Sequence, residues 1–263
     1  SSVFQDIEEG EGYYRRQIRQ HHHLYSCQNQ ELTPLPFARP ILMFLILPDL
    51  LSADEIADLA AGFDTAAFED GRNTAAGTAQ VVKKNRQISR QWPGIRHFEN
   101  ILDNALKRST TLIQQLSPAA CSPAIFAEYH PGDGYGCHTD TVMGGQPPIR
   151  HDISVTLFLN APDSYTGGEL RLHLPGGQIQ DVKCEAGAAL AYPTTLVHEV
   201  LPVRSGIRRV AVFWLQSFYR DSEVRQIVAD LREGLSQLRH LPDTNSLPIA
   251  RALANLERKF IGQ

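Results

Sequence analysis

Long apolar runs are missing from this chain of 263 residues. The most apolar stretch, 41–47, is stopped by Pro48 after seven residues, far short of the roughly 20 that span a bilayer. No transmembrane helix is expected, and no membrane partner. Cysteine is sparse: Cys27, Cys121, Cys137 and Cys184 form no Cys-x-x-Cys pair and are too few for a disulfide framework at this length. That favours a reducing, cytoplasmic compartment. A basic, apolar leader is lacking too, since Asp6, Glu8, Glu9 and Glu11 stand where a secretory signal would carry lysine or arginine. Nor is positive charge in excess: 25 Lys+Arg against 29 Asp+Glu leave a formal net charge of −4. Nothing there attracts phosphate backbones, so nucleic acid is not an expected partner.

What is present suits a globular protein. With 42% hydrophobic residues, a chain of this length buries a sizeable core, which excludes disorder as its main state. Residues 1–42 read as an extension outside the folded domain, without sustained apolar periodicity. Their run His21-His22-His23 reads as a solvated tail, because three adjacent residues cannot all aim at one point in regular structure.

A strand is expected over 43–47, and Ser52-Ala-Asp-Glu55 is a capping box for a helix carrying Ile56, Leu59, Ala60 and Phe63. A second amphipathic helix is expected over 97–116, with Phe98, Ile101, Leu102, Ala105, Leu112, Ile113 and Leu116 as its stripe. From 124 to 217 the texture becomes short β-rich runs between turn signals such as Pro131-Gly-Asp-Gly134, Gly167-Gly168 and Arg204-Ser-Gly206. Regular strands without intervening helices predict an antiparallel sandwich or barrel. Helical periodicity returns with Val224, Ile227, Val228, Leu231 and Leu235, then Ile249, Leu253, Leu256 and Phe260. The expected plan is an N-terminal helical support (43–120), a β core (121–219) and a helical C-terminal cap (220–263), the last a candidate homodimer contact.

Within the β block lies His138-Thr139-Asp140. Residues i and i+2 of a strand share a face, so imidazole and carboxylate can converge on one ion. His198 on a later strand completes a two-histidine, one-carboxylate set, which favours non-haem Fe(II) with open coordination positions. Arg208 lies ten residues further on, in a strand expected to pair with the His198 strand across the Arg204-Ser-Gly206 turn. Inside a barrel its guanidinium needs an anion, and a dicarboxylic cosubstrate whose 2-oxo acid end chelates the iron would supply one. Alternation alone leaves the inward face open. Arg208 shares a face with Val210, Val212 and Trp214, and Arg209 shares one with Ala211, Phe213 and Leu215.

Five motifs then carry a family resemblance. They are Phe126-Ala-Glu-Tyr-His-Pro-Gly-Asp-Gly-Tyr-Gly-Cys-His-Thr-Asp140, Asp152-Ile-Ser-Val-Thr-Leu-Phe-Leu-Asn160, Gly167-Gly-Glu-Leu170, Pro193-Thr-Thr-Leu-Val-His-Glu-Val-Leu-Pro202 and Gly206-Ile-Arg-Arg-Val-Ala-Val-Phe-Trp-Leu-Gln-Ser217. In this order they resemble the Fe(II)- and 2-oxoglutarate-dependent dioxygenases, above all the bacterial PKHD-type hydroxylases related to the prolyl 4-hydroxylase catalytic subunit. The resemblance runs from Met43 to the C-terminus. It implies a double-stranded β-helix (jelly-roll, cupin-like) core with flanking helices. It also implies His138, Asp140 and His198 as iron ligands, Arg208 as the holder of the 2-oxoglutarate C5 carboxylate, and Tyr129 either as a hydrogen-bonding partner of that cosubstrate or as a packed strand aromatic. Tyr192, Trp214 and Cys137 are read as structural, and Gly167-Gly168 as a hairpin turn. Hydroxylation of an unactivated C–H bond, of a prolyl residue or an amino-acid-like substrate, would consume 2-oxoglutarate and O2 and release succinate and CO2, with L-ascorbate rescuing oxidised iron. Two rivals remain: a jelly-roll hydrolase or isomerase using the same ligands with zinc, and a catalytically silent metal-binding sensor or scaffold.

Overall fold

A computed structural model of the protein describes residues 44–75, 77–145, 147–238 and 245–262. The expected extension, 1–42, lies outside the described residues. The chain opens with β1 (Leu45–Leu47), α1 (Ala53–Phe63), β2 (Phe68–Asp70), a 3-10 turn (Gly71–Thr74), α2 (Gly77–Val81), β3 (Lys83–Lys84) and β4 (Arg86–Ile88). Then come α3 (Ile95–Arg108), α4 (Thr110–Leu116), β5 (Pro118–Cys121), β6 (Ile125–Tyr129), β7 (Gly134–His138), β8 (Met143–Gly144), β9 (Ile149–Arg150) and β10 (Ile153–Phe158). The rest of the β region is β11 (Thr166–Gly167), β12 (Leu170–His173), β13 (Ile179–Val182), β14 (Ala189–Pro193), β15 (Val197–Val200), β16 (Val203–Ser205) and β17 (Arg208–Ser217), before α5 (Ser222–Leu238) and α6 (Leu247–Phe260). Among the described residues no helix is long and apolar enough to cross a membrane.

The capping box is present in full: Ser52 Oγ accepts from the Glu55 amide at 3.3 Å and Glu55 Oε2 accepts from the Ser52 amide at 2.8 Å. The single helix expected over 97–116 is instead two. Ser109 leaves helical geometry (φ −76°, ψ 94°), closes α3, and accepts the Leu112 amide on its hydroxyl at 3.3 Å to start α4. A serine that caps a new helix at this point outweighs the continuous apolar stripe. The break turns Ile113, expected in that stripe, out to 43% exposure.

One antiparallel sheet has the order β1-β14-β10-β17-β6-β4-β2, with β5 alongside the end of β17; a second has the order β13-β12-β15-β7-β3. This is a jelly-roll core, and it accounts for strands apolar on both faces. Val155, Leu157, Ala211 and Phe213 join the helices in one core, whereas Phe158, Leu190 and Val210 face the second sheet and meet its Leu170 and Leu172.

The expected pairing of the Arg208 strand with the His198 strand does not occur. β17 lies between β10 and β6 in the first sheet and β15 between β12 and β7 in the second, so His198 and Arg208 come from different layers. The chain changes layer through β16 and Gly206, whose φ of 73° suits glycine and whose absent Cβ would sit 2.3 Å from the Ser164 carbonyl oxygen. Gly167-Gly168 is likewise not a hairpin turn: β11 pairs with β16. A Cβ on Gly168 would lie 3.0 Å from Arg208 Cδ, so close approach to that side chain explains the glycine. At the C-terminus Val228, Leu235 and Leu253 bury together with Tyr219, while Ile227 and Ile249, expected in the same stripes, are 49% and 38% exposed.

Phe98, 1% exposed, ties the helices to the first sheet, its ring 5.7 Å from Phe63, 5.2 Å from Trp92 and 5.0 Å from Phe126. Phe98→Ala should cost about 3 to 5 kcal/mol in urea unfolding. Phe218→Ala, at a half-exposed position, should change stability by no more than about 0.5 kcal/mol.

Candidate active site

His138 closes β7 and His198 lies directly opposite it on β15. Asp140 was expected on the same strand as His138; it sits two residues past the strand end, and its carboxylate still reaches the same point. His138 Nε2 is 3.8 Å from Asp140 Oδ1, and His198 Nε2 is 3.7 Å from Asp140 Oδ2. The three form one of two groupings among the described residues with donor atoms close enough to share an ion.

Both imidazoles are held in the tautomer a metal requires. His138 Nδ1–H donates to the Gly136 carbonyl at 2.8 Å and His198 Nδ1–H to the Leu196 carbonyl at 3.0 Å. A carbonyl oxygen can only accept, so Nδ1 carries the proton and the Nε2 lone pair is free. Burial, then the neighbouring His198, holds the His138 pKa well below the ordinary imidazole value. Tyr135 stacks on His138 with ring centroids 3.6 Å apart, and Tyr192 meets His198 edge-on at 5.0 Å. Asp140 is oriented by two donors to Oδ2, Ser154 Oγ at 2.6 Å and Trp214 Nε1 at 2.9 Å.

The same cavity, of about 280 Å³, is lined by His138, Asp140, His198, Tyr129 and Arg208. All five residues singled out in the sequence therefore meet. Arg208 is 1% exposed, and its Nε and Nη2 have no hydrogen-bond partner. Its guanidinium lies over the rings of Tyr129, at 5.1 Å, and Phe158, at 5.6 Å. Tyr129 is opposite it in the β6–β17 register, packed and cavity-facing at once, its phenol pKa raised by burial against the pull of Arg208. Arg209 points the other way, to Asp64 at 3.0 Å and Glu128 at 3.5 Å.

Four residues around the cavity were not foreseen as part of the site. Tyr135 and Ser154 lie within quoted motifs, and a serine at 0% exposure in the apolar β10 run is the kind of signal that asks for a partner. Trp214 was read as structural, and its structural task is to hold Asp140. Lys83 leaves no motif signature; the register of β3 against β7 puts it beside Tyr135. Cys137, as strand parity requires, points away from the triad.

The sequence model of the 2OG-Fe(II) oxygenase superfamily matches residues 124–216, the span that holds every one of the five residues. A solved oxidoreductase of the 2OG-Fe(II) oxygenase family from Burkholderia pseudomallei superposes with a TM-score of 0.52 at 19% identity, over 68% of this chain and 86% of that one. The fold and site thus define an Fe(II)- and 2-oxoglutarate-dependent oxygenase. A PKHD-type hydroxylase of Paracoccus denitrificans is 39% identical over 76% of this chain and 90% of its own length. Another, from Crocosphaera subtropica, is 36% identical over 72% of this chain and 85% of its own length. The chain belongs to the PKHD-type hydroxylase family, an oxidoreductase family using Fe(II) and 2-oxoglutarate, and neither the zinc hydrolase nor the silent scaffold is favoured.

Trp214→Phe removes one donor from Asp140 and keeps the aromatic bulk. It should weaken binding of a divalent metal to the triad by about 10- to 100-fold, measured by anaerobic Mn(II) titration, with folding intact by circular dichroism.

Proposed function

We propose that His138, Asp140 and His198 hold the iron, that Arg208 with Tyr129 receives the far carboxylate of 2-oxoglutarate, and that the substrate is a prolyl residue or a proline-like amino acid. The observation that carries the assignment is that Nε and Nη2 of the buried Arg208 guanidinium have no hydrogen-bond partner. An uncompensated buried charge is strongly destabilising, and no carboxylate among the described residues pairs with it. A dicarboxylate whose other end reaches the triad satisfies both halves of the cavity.

Iron with its cosubstrate supplies the O2 chemistry that hydroxylates a C–H bond and releases succinate and CO2. The chain supplies position and shielding. Its two fixed tautomers aim Nε2 lone pairs at one point, the donors on Oδ2 leave Oδ1 of Asp140 for the metal, and the walls of Tyr135, Tyr192 and Trp214 limit access of water. Ascorbate fits the same reading as the reductant that restores oxidised iron.

Lys83 supports an amino-acid-like substrate. Its side chain is 7% exposed, faces the cavity, donates to Thr74 Oγ1 at 2.9 Å, and has its pKa pushed down by burial to about 8. We assign it the substrate's carbonyl or carboxylate. Lys83→Met should raise the substrate KM at least tenfold and leave substrate-free 2-oxoglutarate decarboxylation nearly unchanged; loss of both together would place Lys83 outside substrate recognition.

The main test is at Arg208. Arg208→Ala should raise the 2-oxoglutarate requirement for succinate formation by the equivalent of roughly 2 to 5 kcal/mol, the range for truncating one member of a buried charge pair, while metal binding survives. Arg208→Lys should recover part of the loss by restoring charge without the bidentate fork. Arg209→Ala should matter much less. A tolerant Arg208 would overturn the assignment.

A further inference from the structure

Beyond this reading, the outer face of the second sheet carries another set of ligand-type side chains: Cys137 on β7, Glu199 on β15 and His173 on β12. Cys137 Sγ is 3.5 Å from His173 Nε2, and His173 Nε2 is 3.2 Å from Glu199 Oε1. Donor atoms of the three all lie within 4.8 Å of one another. With zinc bond lengths to S, N and O of about 2.3, 2.05 and 2.1 Å, a tetrahedral angle gives S···N and N···O separations of about 3.6 and 3.4 Å. The observed pair distances are close to these values before any ion draws the ligands together.

We infer that Cys137, His173 and Glu199 form a second metal site, specific for a thiophilic divalent cation of the zinc class, completed by water. Cys137 is exposed and His173 and Glu199 are half-buried, so an ion reaches the cluster directly from solvent. Competing charge is limited. Arg171 is held in a two-pronged pair by Asp181 at 2.7 and 2.8 Å and approaches Glu199 only to 4.0 Å.

The thiolate separates the two sites in preference. A sulfur, nitrogen and oxygen set favours zinc or copper over iron more strongly than two imidazoles and a carboxylate do. Position gives the site a consequence. Cys137 precedes His138 and Glu199 follows His198, so an ion on the outer face links the two strands that present the inner histidines and ties β12 to them.

Co(II) titration of the full chain, anaerobic and with thiols reduced by a phosphine, distinguishes the sites because the inner triad contains no sulfur. A thiolate-to-Co(II) charge-transfer band should grow to saturation by two equivalents, the inner triad taking up the other one. It should be absent in Cys137→Ser, need more than about tenfold higher Co(II) in His173→Ala and Glu199→Gln, and persist in His138→Ala. These outer-face positions lie on the sheet surface, and circular dichroism checks that each variant folds. No thiolate band at saturating Co(II), a band retained in Cys137→Ser, or one lost in His138→Ala would overturn the inference. Since the readout is independent of turnover, failure here leaves the oxygenase assignment untouched, and failure of that assignment leaves this site untouched.

Discussion

The structure is organised around a positive charge that the protein buries and does not neutralise. Arg208 is held at 1% exposure at the first residue of the longest strand, where solvent cannot screen it and no carboxylate among the described residues pairs with it. Such a position is tolerable only if the surroundings are shaped for it. Tyr129 and Phe158 give it aromatic faces, which offset part of the desolvation cost, and Gly168 removes the Cβ that would press on its Cδ. The fold thereby keeps two unpartnered guanidinium nitrogens at the cavity, and under the proposed assignment the charge whose desolvation weakens the free protein would become binding energy for a dicarboxylate.

The second constraint is that Arg208 and the two histidines, His138 and His198, occupy facing sheets. Had β17 paired with β15, the two would share one layer, and the distance between them would be set by strand register. With the layers opposed, it is set by the spacing of the sheets, filled by Val210, Leu170 and Leu172. Sheets pack face to face at about 10 Å, a span that suits the proposed reach of a five-carbon diacid from the triad to the Arg208 guanidinium. The layer change at Gly206 is therefore part of the cavity's construction as well as of its topology.

Much of this was legible in the residues. Period-two parity placed His138 and Cys137 on opposite faces, the two-histidine, one-carboxylate set brought in His198, and the family resemblance singled out Arg208. Alternation could not decide between Arg208 and Arg209, because a central strand of a sheet covered on one side by helices and on the other by a second sheet is apolar on both faces. The decision came from what each face meets: Arg209 finds Asp64 and Glu128, and Arg208 finds a cavity. The pairing of β17 departs from the hairpin that a short connection favours, because the three-residue strand β16 intervenes and crosses between layers. The helix break at Ser109 was hidden by a stripe that continues through it, since the capping preference of one serine is weaker in a sequence pattern than in a folded backbone.

Parity has a further effect in the second sheet. Because adjacent residues on a strand face opposite ways, a strand that delivers a ligand inward presents its neighbour outward. β7 and β15 do so together: His138 and His198 go in, Cys137 and Glu199 come out. The pairing that sets His198 opposite His138 therefore also brings Cys137 close to Glu199, with His173 joining from β12 on the other side. Register that is correct for one side of a sheet is inherited by the other. The inner set combines buried imidazoles, fixed tautomers and an oriented carboxylate, the arrangement on which the proposed oxygenase site rests. The outer set combines a thiol, an imidazole and a carboxylate in contact with water, a chemistry suited to holding an ion rather than to turning over a substrate.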